Sequence, residues 1–211
     1  MTYKSCWRAP LLALGLVVVF NPGSGAFADG LGTPRATVEA FQESLADVMK
    51  RAHELGAKGR HDALSPVIGN TFDIEVMART VTRPHWERAT QEQRTRLVKA
   101  SHRMMAATVA ALFGHQEGAT FSVLRERTTN GRVVLVDAHI NQPEKKPIAV
   151  TYVAAPKERR WWLIDVVFDH GISELATRRS EYQGLLASGG IEKLIDALEQ
   201  QADRVLPRQQ K

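Results

Sequence analysis

Residues Trp161 to Leu198, WWLIDVVFDHGISELATRRSEYQGLLASGGIEKLIDAL, decide the fold class of this chain. Their order predicts a strand, a glycine turn and two helices arranged around apolar side chains. In the strand, read over Arg160 to Asp169, alternation places Trp162, Ile164, Val166 and Phe168 on one face. Both faces are largely apolar, which predicts a central strand covered on both sides. Ser173 stands just before Glu174, where a hydroxyl would cap the helix that follows.

Upstream, three more runs rich in Val, Ile, Thr and aromatics cover Ala119 to Arg127, Arg132 to Asn141 and Pro147 to Ala155. Ile148, Val150 and Tyr152 share a face in the last of these. The connections are short and carry turn chemistry (Thr129-Asn130-Gly131, Gln142-Pro143-Glu144-Lys145, Pro156-Lys157-Glu158), so the neighbours are antiparallel.

Helices precede the strands. Thr33-Pro34 supplies a cap and a first helical residue, and Val38, Phe41, Leu45, Val48, Ala52 and Leu55 follow at helical spacing until Gly56. Asn70 to Val81 reads as a short helix, and Thr90-x-x-Gln93 as a capping box for a long one ending at Phe113-Gly114. Met104 to Phe113 of that long helix is apolar or small on every side, so it is buried. Its Ala106, Ala107, Ala110 and Ala111 imply either very close packing or space left beside the helix. Helices first, a meander next and helices last make an α+β domain.

The first 28 residues read as a removable secretory signal. Lys4 and Arg8 form a basic start, Leu11 to Phe20 an apolar run, and Ala26-Phe27-Ala28 a cleavage pattern before Asp29. The apolar run is shorter than the roughly 20 residues a bilayer span requires. Cys6 precedes it and would leave with the signal, so residues 29–211 form one domain with no disulfide or thiolate site. The formal charge falls from +5 to +3 with Lys4 and Arg8. Basic residues are scattered among acidic ones, and no nucleic-acid stripe forms.

Catalytic motifs are missing from this reading. The seven histidines, His53, His61, His85, His102, His115, His139 and His170, lack metal-ligand spacing. Asp169-His170 with Ser173 could be imagined as a triad, but no nucleophile elbow accompanies them, and Ser173 fits better as a cap. Glu39/Glu43 and Asp165/Asp169 sit in ordinary exposed or turn settings. No phosphate-loop or dinucleotide motif appears, which predicts no cofactor. Lys145-Lys146 and Lys157, Arg159, Arg160 are placed at adjacent hairpin ends, where they would be solvated or would meet an anionic headgroup, membrane leaflet or acidic partner.

Two groups of residues carry a family resemblance that runs from about Val38 to Leu206. One is Phe72-Asp73-x3-Met77-Ala78 followed by Trp86-x2-Ala89-Thr90-x2-Gln93. The other is Trp161-x3-Asp165, Gly171-Ile172-Ser173, Arg178-Arg179-Ser180-Glu181-Tyr182 and Gly190-Ile191-x2-Leu194-Ile195. Together they resemble the MlaC/toluene-tolerance family of periplasmic lipid carriers. The resemblance implies a twisted antiparallel sheet of about four strands against several helices, with a hydrophobic cavity between them for lipid tails and the headgroup near solvent. Asp165-x5-Gly171 is one residue longer than the usual phospholipid-carrier signature, and Ile172 to Glu181 looks more like the hopanoid-associated HpnM branch. Leu112-Phe113 stands where a tyrosine is common.

On this reading the cavity is lined by Phe72, Met77, Met104, Val109, Leu112 and Phe113 from helices, and by Val150, Tyr152, Ile164, Val166 and Phe168 from the sheet. The resemblance implies a monomer that binds a hopanoid-like lipid, with diacyl phospholipid as runner-up, and docks on an inner-membrane lipid transporter and an outer-membrane complex. A small cavity-containing hydrolase or isomerase, or a lipid-free structural adaptor of the envelope, are the competing classes.

Overall fold

The computed structural model describes residues 32–115, 118–129 and 131–206, so the signal over residues 1–28 and the start at Asp29 lie outside it. Helix α1 (Pro34–Lys50) starts as its sequence predicts, with the Thr33 hydroxyl accepting from the Ala36 amide. Val38, Phe41, Leu45 and Val48 form its buried face. The predicted continuation to Gly56 is not one straight helix: the chain bends at Arg51 and continues as α2 (Ala52–Thr71), which kinks at Gly56 (φ 59°). Residues 57–71, with two further glycines and Pro66, have almost no amphipathic pattern, yet tertiary contacts hold them helical through buried Leu64 and Ile68.

Arg60 is the main polar tie of α2. Its Nε donates to the Ala110 carbonyl (3.0 Å) and its Nη1 to the Ala52 carbonyl (3.0 Å). It thereby satisfies a carbonyl left open at the end of α5 (Gln91–Leu112). A Cβ built on Gly114 would lie 2.5 Å from Arg60 Nη2. Gly114→Ala must therefore push a buried guanidinium off two carbonyls, and thermal unfolding is expected to show a loss of about 1–3 kcal/mol. Gly184→Ala, where nothing lies within 4 Å, is expected to stabilise by about 0.5–1 kcal/mol. Equal melting temperatures for the two variants would refute the role given to Arg60.

The short helix predicted from Asn70 begins later. Asn70 and Thr71 end α2, and Asp73 caps α3 (Ile74–Thr82) by accepting from the Val76 amide at 3.1 Å. After the single turn α4 (His85–Arg88), both halves of the Thr90/Gln93 capping box open α5.

Five antiparallel strands follow in the order of the chain: β1 (Thr120–Thr128), β2 (Val134–Asn141), β3 (Ile148–Lys157), β4 (Arg160–Phe168) and the two-residue β5 (Ile172–Ser173), counted among the described residues. The expectation of a central, doubly covered β4 is corrected. Among the described residues, only β5 and a backbone bridge from Phe72 to Leu163, with the Asp73 amide donating to the Leu163 carbonyl (3.0 Å), pair along its far edge. The sheet buries one face. Val136, Ala138, Val150, Tyr152, Ala154 and Leu163 are buried, while the intervening Leu135, Asp137, Thr151 and Val153 are half-exposed. On the outer face Asp137 accepts from Arg125, Arg127 and Thr151 (2.7–2.8 Å), and the Arg127 guanidinium above all holds its carboxyl well below the usual carboxylate range.

The predicted face of β4 is also corrected. Tyr152 pairs with Val166 and Val153 with Asp165, but Ala154 pairs with Leu163, leaving Ile164 as the extra residue of a β-bulge. A bulge resets the alternation. Trp161 and Leu163 thus join Val166 and Phe168 on the inner face, while Trp162 turns away beneath the Arg160 guanidinium, 3.8 Å from its ring centroid.

Helix α6 (Glu174–Val205) breaks at Gly190 (φ 63°), which divides it into the two predicted helical stretches. Asp165 fastens its start. The carboxylate accepts from the Val166 amide (2.8 Å), the Ser173 hydroxyl (2.6 Å) and the Leu175 amide (3.1 Å).

Apolar side chains gather into two cores. One joins α1 and α2 to the sheet through Phe41, Leu45, Ile68, Phe72 and Tyr152; the other joins α5 to α6 through Leu97, Met104, Leu186, Leu194 and Leu198.

Candidate functional site

A cavity of about 500 Å³ lies in the seam between the two cores. Its floor is aromatic. Phe41 meets Phe72 edge-on at 5.1 Å and Tyr152 edge-on at 6.2 Å, and all three are buried. Burial pushes the Tyr152 hydroxyl up to about 12, with the neighbouring Gln42 side chain acting in the opposite direction. The hydroxyl therefore stays neutral.

One wall is α5, which presents Ser101, Met104, Met105, Thr108, Val109 and Leu112, residues three and four apart on one helix face. The opposite wall is the inner face of the sheet, with Ile140, Ile148, Val150, Tyr152, Val166 and Phe168. Leu112 (57% exposed) and Phe168 (37% exposed) mark the opening, near exposed Ile172. The start of α6 completes it with Glu174, Leu175, Arg178 and Tyr182.

Ten of the eleven residues expected to line a cavity do so: Phe72, Met77, Met104, Val109, Leu112, Phe113, Val150, Tyr152, Val166 and Phe168. Ile164 does not, because the bulge takes it out of the alternation. The sequence reading missed Phe41, Leu45 and Met105, and the whole α6 group. Leu175, Arg178 and Tyr182 are spaced three and four apart, a signal available in the sequence.

The α5 alanines do not make the space. Ala106, Ala107 and Ala110 are fully buried and absent from the lining; Ala106 and Ala110 pack in one core, Ala107 in the other. Close packing is the arrangement found for these three, while Ala111 and Leu112 are exposed, so the expected burial of Met104 to Phe113 holds for only part of that stretch.

The basic hairpin ends are likewise not adjacent. Lys145-Lys146 precede β3 and Lys157 ends it, so they lie at opposite ends of a ten-residue strand. Gln142 and Ile148, which flank the first hairpin, line the cavity, which puts Lys145-Lys146 at the open end. At the other end Lys157 Nζ pairs with the buried Asp73 carboxylate (2.8 Å) and Arg160 donates to the Asn70 carbonyl.

Ser173 is a cap: its Oγ accepts from the Ala176 amide (3.0 Å) while donating to Asp165. Its proton is directed at a structural carboxylate. Among the described residues no group of three or more His, Cys, Asp or Glu is gathered as a metal ion requires, and no helix is long and apolar enough to cross a membrane.

These features define a small α+β domain whose site is an apolar cavity open at one end, the architecture of a binding protein. A family model described as MlaC protein matches residues 39–200, and the chain belongs to that family. Its fold is similar to that of the phospholipid-binding protein from Ralstonia solanacearum, solved in complex with a phospholipid. The two agree with a TM-score of 0.72 at 16% identity, over 82% of this chain and 99% of that one. No curated protein sequence matches the chain.

Proposed function

We propose that this protein is a periplasmic lipid carrier that shields apolar chains in its cavity while they move between the inner and outer membranes. The observation that carries the reading is the cavity itself. Without a ligand, the apolar wall of a space of about 500 Å³ meets only water, at a cost of roughly 25 cal/mol per Å² of apolar surface. Water finds few partners there. Lipid chains remove that cost, and the cavity in turn removes the roughly 0.8 kcal/mol per CH₂ that a lipid incurs in water.

Transfer between membrane and cavity is then close to balanced. No nucleophile or metal is required, and direction is set by whatever the open end docks against: an inner-membrane lipid transporter on one side and an outer-membrane complex on the other. The periplasmic address is supported by the secretory signal read over residues 1–28 and by the family.

For cargo, the Arg178-Arg179-Ser180-Glu181 run and the long turn before Ile172 favour a hopanoid-like lipid. Against that, Ala106, Ala107 and Ala110 are occupied in packing, and Met77, Met104 and Met105 give the wall an adaptable surface suited to flexible chains. Diacyl phospholipid is therefore the better-supported cargo, and a polycyclic lipid the second. Protein purified from a periplasmic extract is expected to begin at Asp29 and to release phospholipid on extraction, read by mass spectrometry. A preparation that carries no lipid and takes none from vesicles would overturn the carrier reading, whereas hopanoid displacing phospholipid at equal concentration would reverse only the order of cargoes.

A further inference from the structure

We propose that the mouth of the cavity is a headgroup site that selects uncharged or zwitterionic headgroups bearing hydrogen-bond donors, ammonium or hydroxyl, over net-anionic ones. This deepens the carrier reading and rests on it.

The polar part of the mouth is one face of the first two turns of α6. Glu174, Arg178 and Tyr182 line the cavity there at successive four-residue steps. Arg178 is the cation that an anionic headgroup would seek, but three of its five N–H groups already face carboxylates. Its Nε and Nη2 both lie 2.7 Å from Glu174 Oε1, and its Nη1 lies 2.9 Å from Glu181 Oε2. The side chain is only 26% exposed, so these ion pairs are partly shielded from water.

Of the charged groups lining the cavity Glu174 offsets Arg178, and Glu181, half-exposed and outside the lining, sets a second carboxylate against the same guanidinium. A net-anionic headgroup therefore competes with two carboxylates for Arg178 and is repelled by them. An ammonium or hydroxyl headgroup instead donates to the Glu174 carboxylate and leaves the ion pairs in place. The nearby hairpin lysines, Lys145 and Lys146, are exposed and do not line the cavity, so they act on a bound headgroup only through screening solvent.

The test is competition for the delipidated mature protein between dioleoyl phosphatidylethanolamine and dioleoyl phosphatidylglycerol, which share their chains, read by native mass spectrometry. Phosphatidylethanolamine is expected to win by about threefold or more. Glu174→Gln with Glu181→Gln is expected to bring the ratio close to one or invert it. Should that pair disturb folding by circular dichroism, Glu181→Gln alone, at an exposed position, is expected to lower the ratio in the same direction. Equal binding by the wild-type protein, or a preference for phosphatidylglycerol, overturns the headgroup site while leaving the carrier reading intact. If neither lipid binds, the carrier reading itself fails.

Discussion

Val109→Asp is expected to empty the cavity, lowering lipid occupancy by about a hundredfold, while Lys157→Ala leaves occupancy unchanged. Val109 lines the cavity from α5 and is only half-buried, so a carboxylate there faces the apolar chains of the ligand without a partner. Such a charge costs several kcal/mol in a dry site, and about 2.7 kcal/mol is already a factor of a hundred. In the ligand-free protein water can reach it through the open end, so folding, followed by circular dichroism, is expected to survive. Lys157 has a different task. Its ammonium lies at the closed end against Asp73, whose side chain is buried. With the lysine itself well exposed, its removal is expected to cost about 1 kcal/mol of stability and no lipid. Folded Val109→Asp protein that retains wild-type lipid would sink the assignment of the cavity.

The largest effect on stability is expected at Asp165. Its carboxylate joins β4, β5 and the start of α6 through Val166, Ser173 and Leu175, so truncation orphans three donors at once. Asp165→Ala is expected to lower stability by about 2–4 kcal/mol, seen as a fall of roughly 5–12 °C in melting temperature. Lipid occupancy should fall with it, because the same turn carries Glu174, Leu175 and Arg178 into the mouth. Asp165→Asn keeps one acceptor and is expected to fall between the two. A melting temperature for Asp165→Ala within a degree of wild type would show that the clamp contributes nothing.

What was legible in the sequence was what local chemistry decides. The Thr33 cap, the Thr90/Gln93 box and the Ser173 cap each depend on residues within one turn of each other, and each is present in the fold. So is the antiparallel meander, whose short turns leave little choice of topology. What was not legible depends on contacts distant in sequence. The bulge at Ile164 answers to pairing with β3 and to the bridge from Phe72, neither of which shows in the alternation of β4 itself. Residues 57–71 are helical because Arg60, Leu64 and Ile68 find partners elsewhere, against a weak local pattern. Asp165, set aside as an ordinary turn carboxylate, is a clamp only once α6 folds back beside it. The apolar cavity wall was readable where helix or strand period carried it, and the polar mouth was missed because Glu174 and Arg178 look like solvated helix surface.

The seam position of the cavity bears on how relatives of this protein diverge. Each core closes with its own buried residues, such as Leu64 and Ile68 in one and Leu194 and Leu198 in the other. Positions such as Val109, Leu112 and Phe168 border the seam and are themselves incompletely buried. Substitutions there reshape the void without dismantling either core, so cargo can be exchanged along a lineage while the scaffold is kept. A shared fold at 16% identity is the outcome such a division of labour allows. Selection can act on what is carried almost independently of selection on whether the carrier stands.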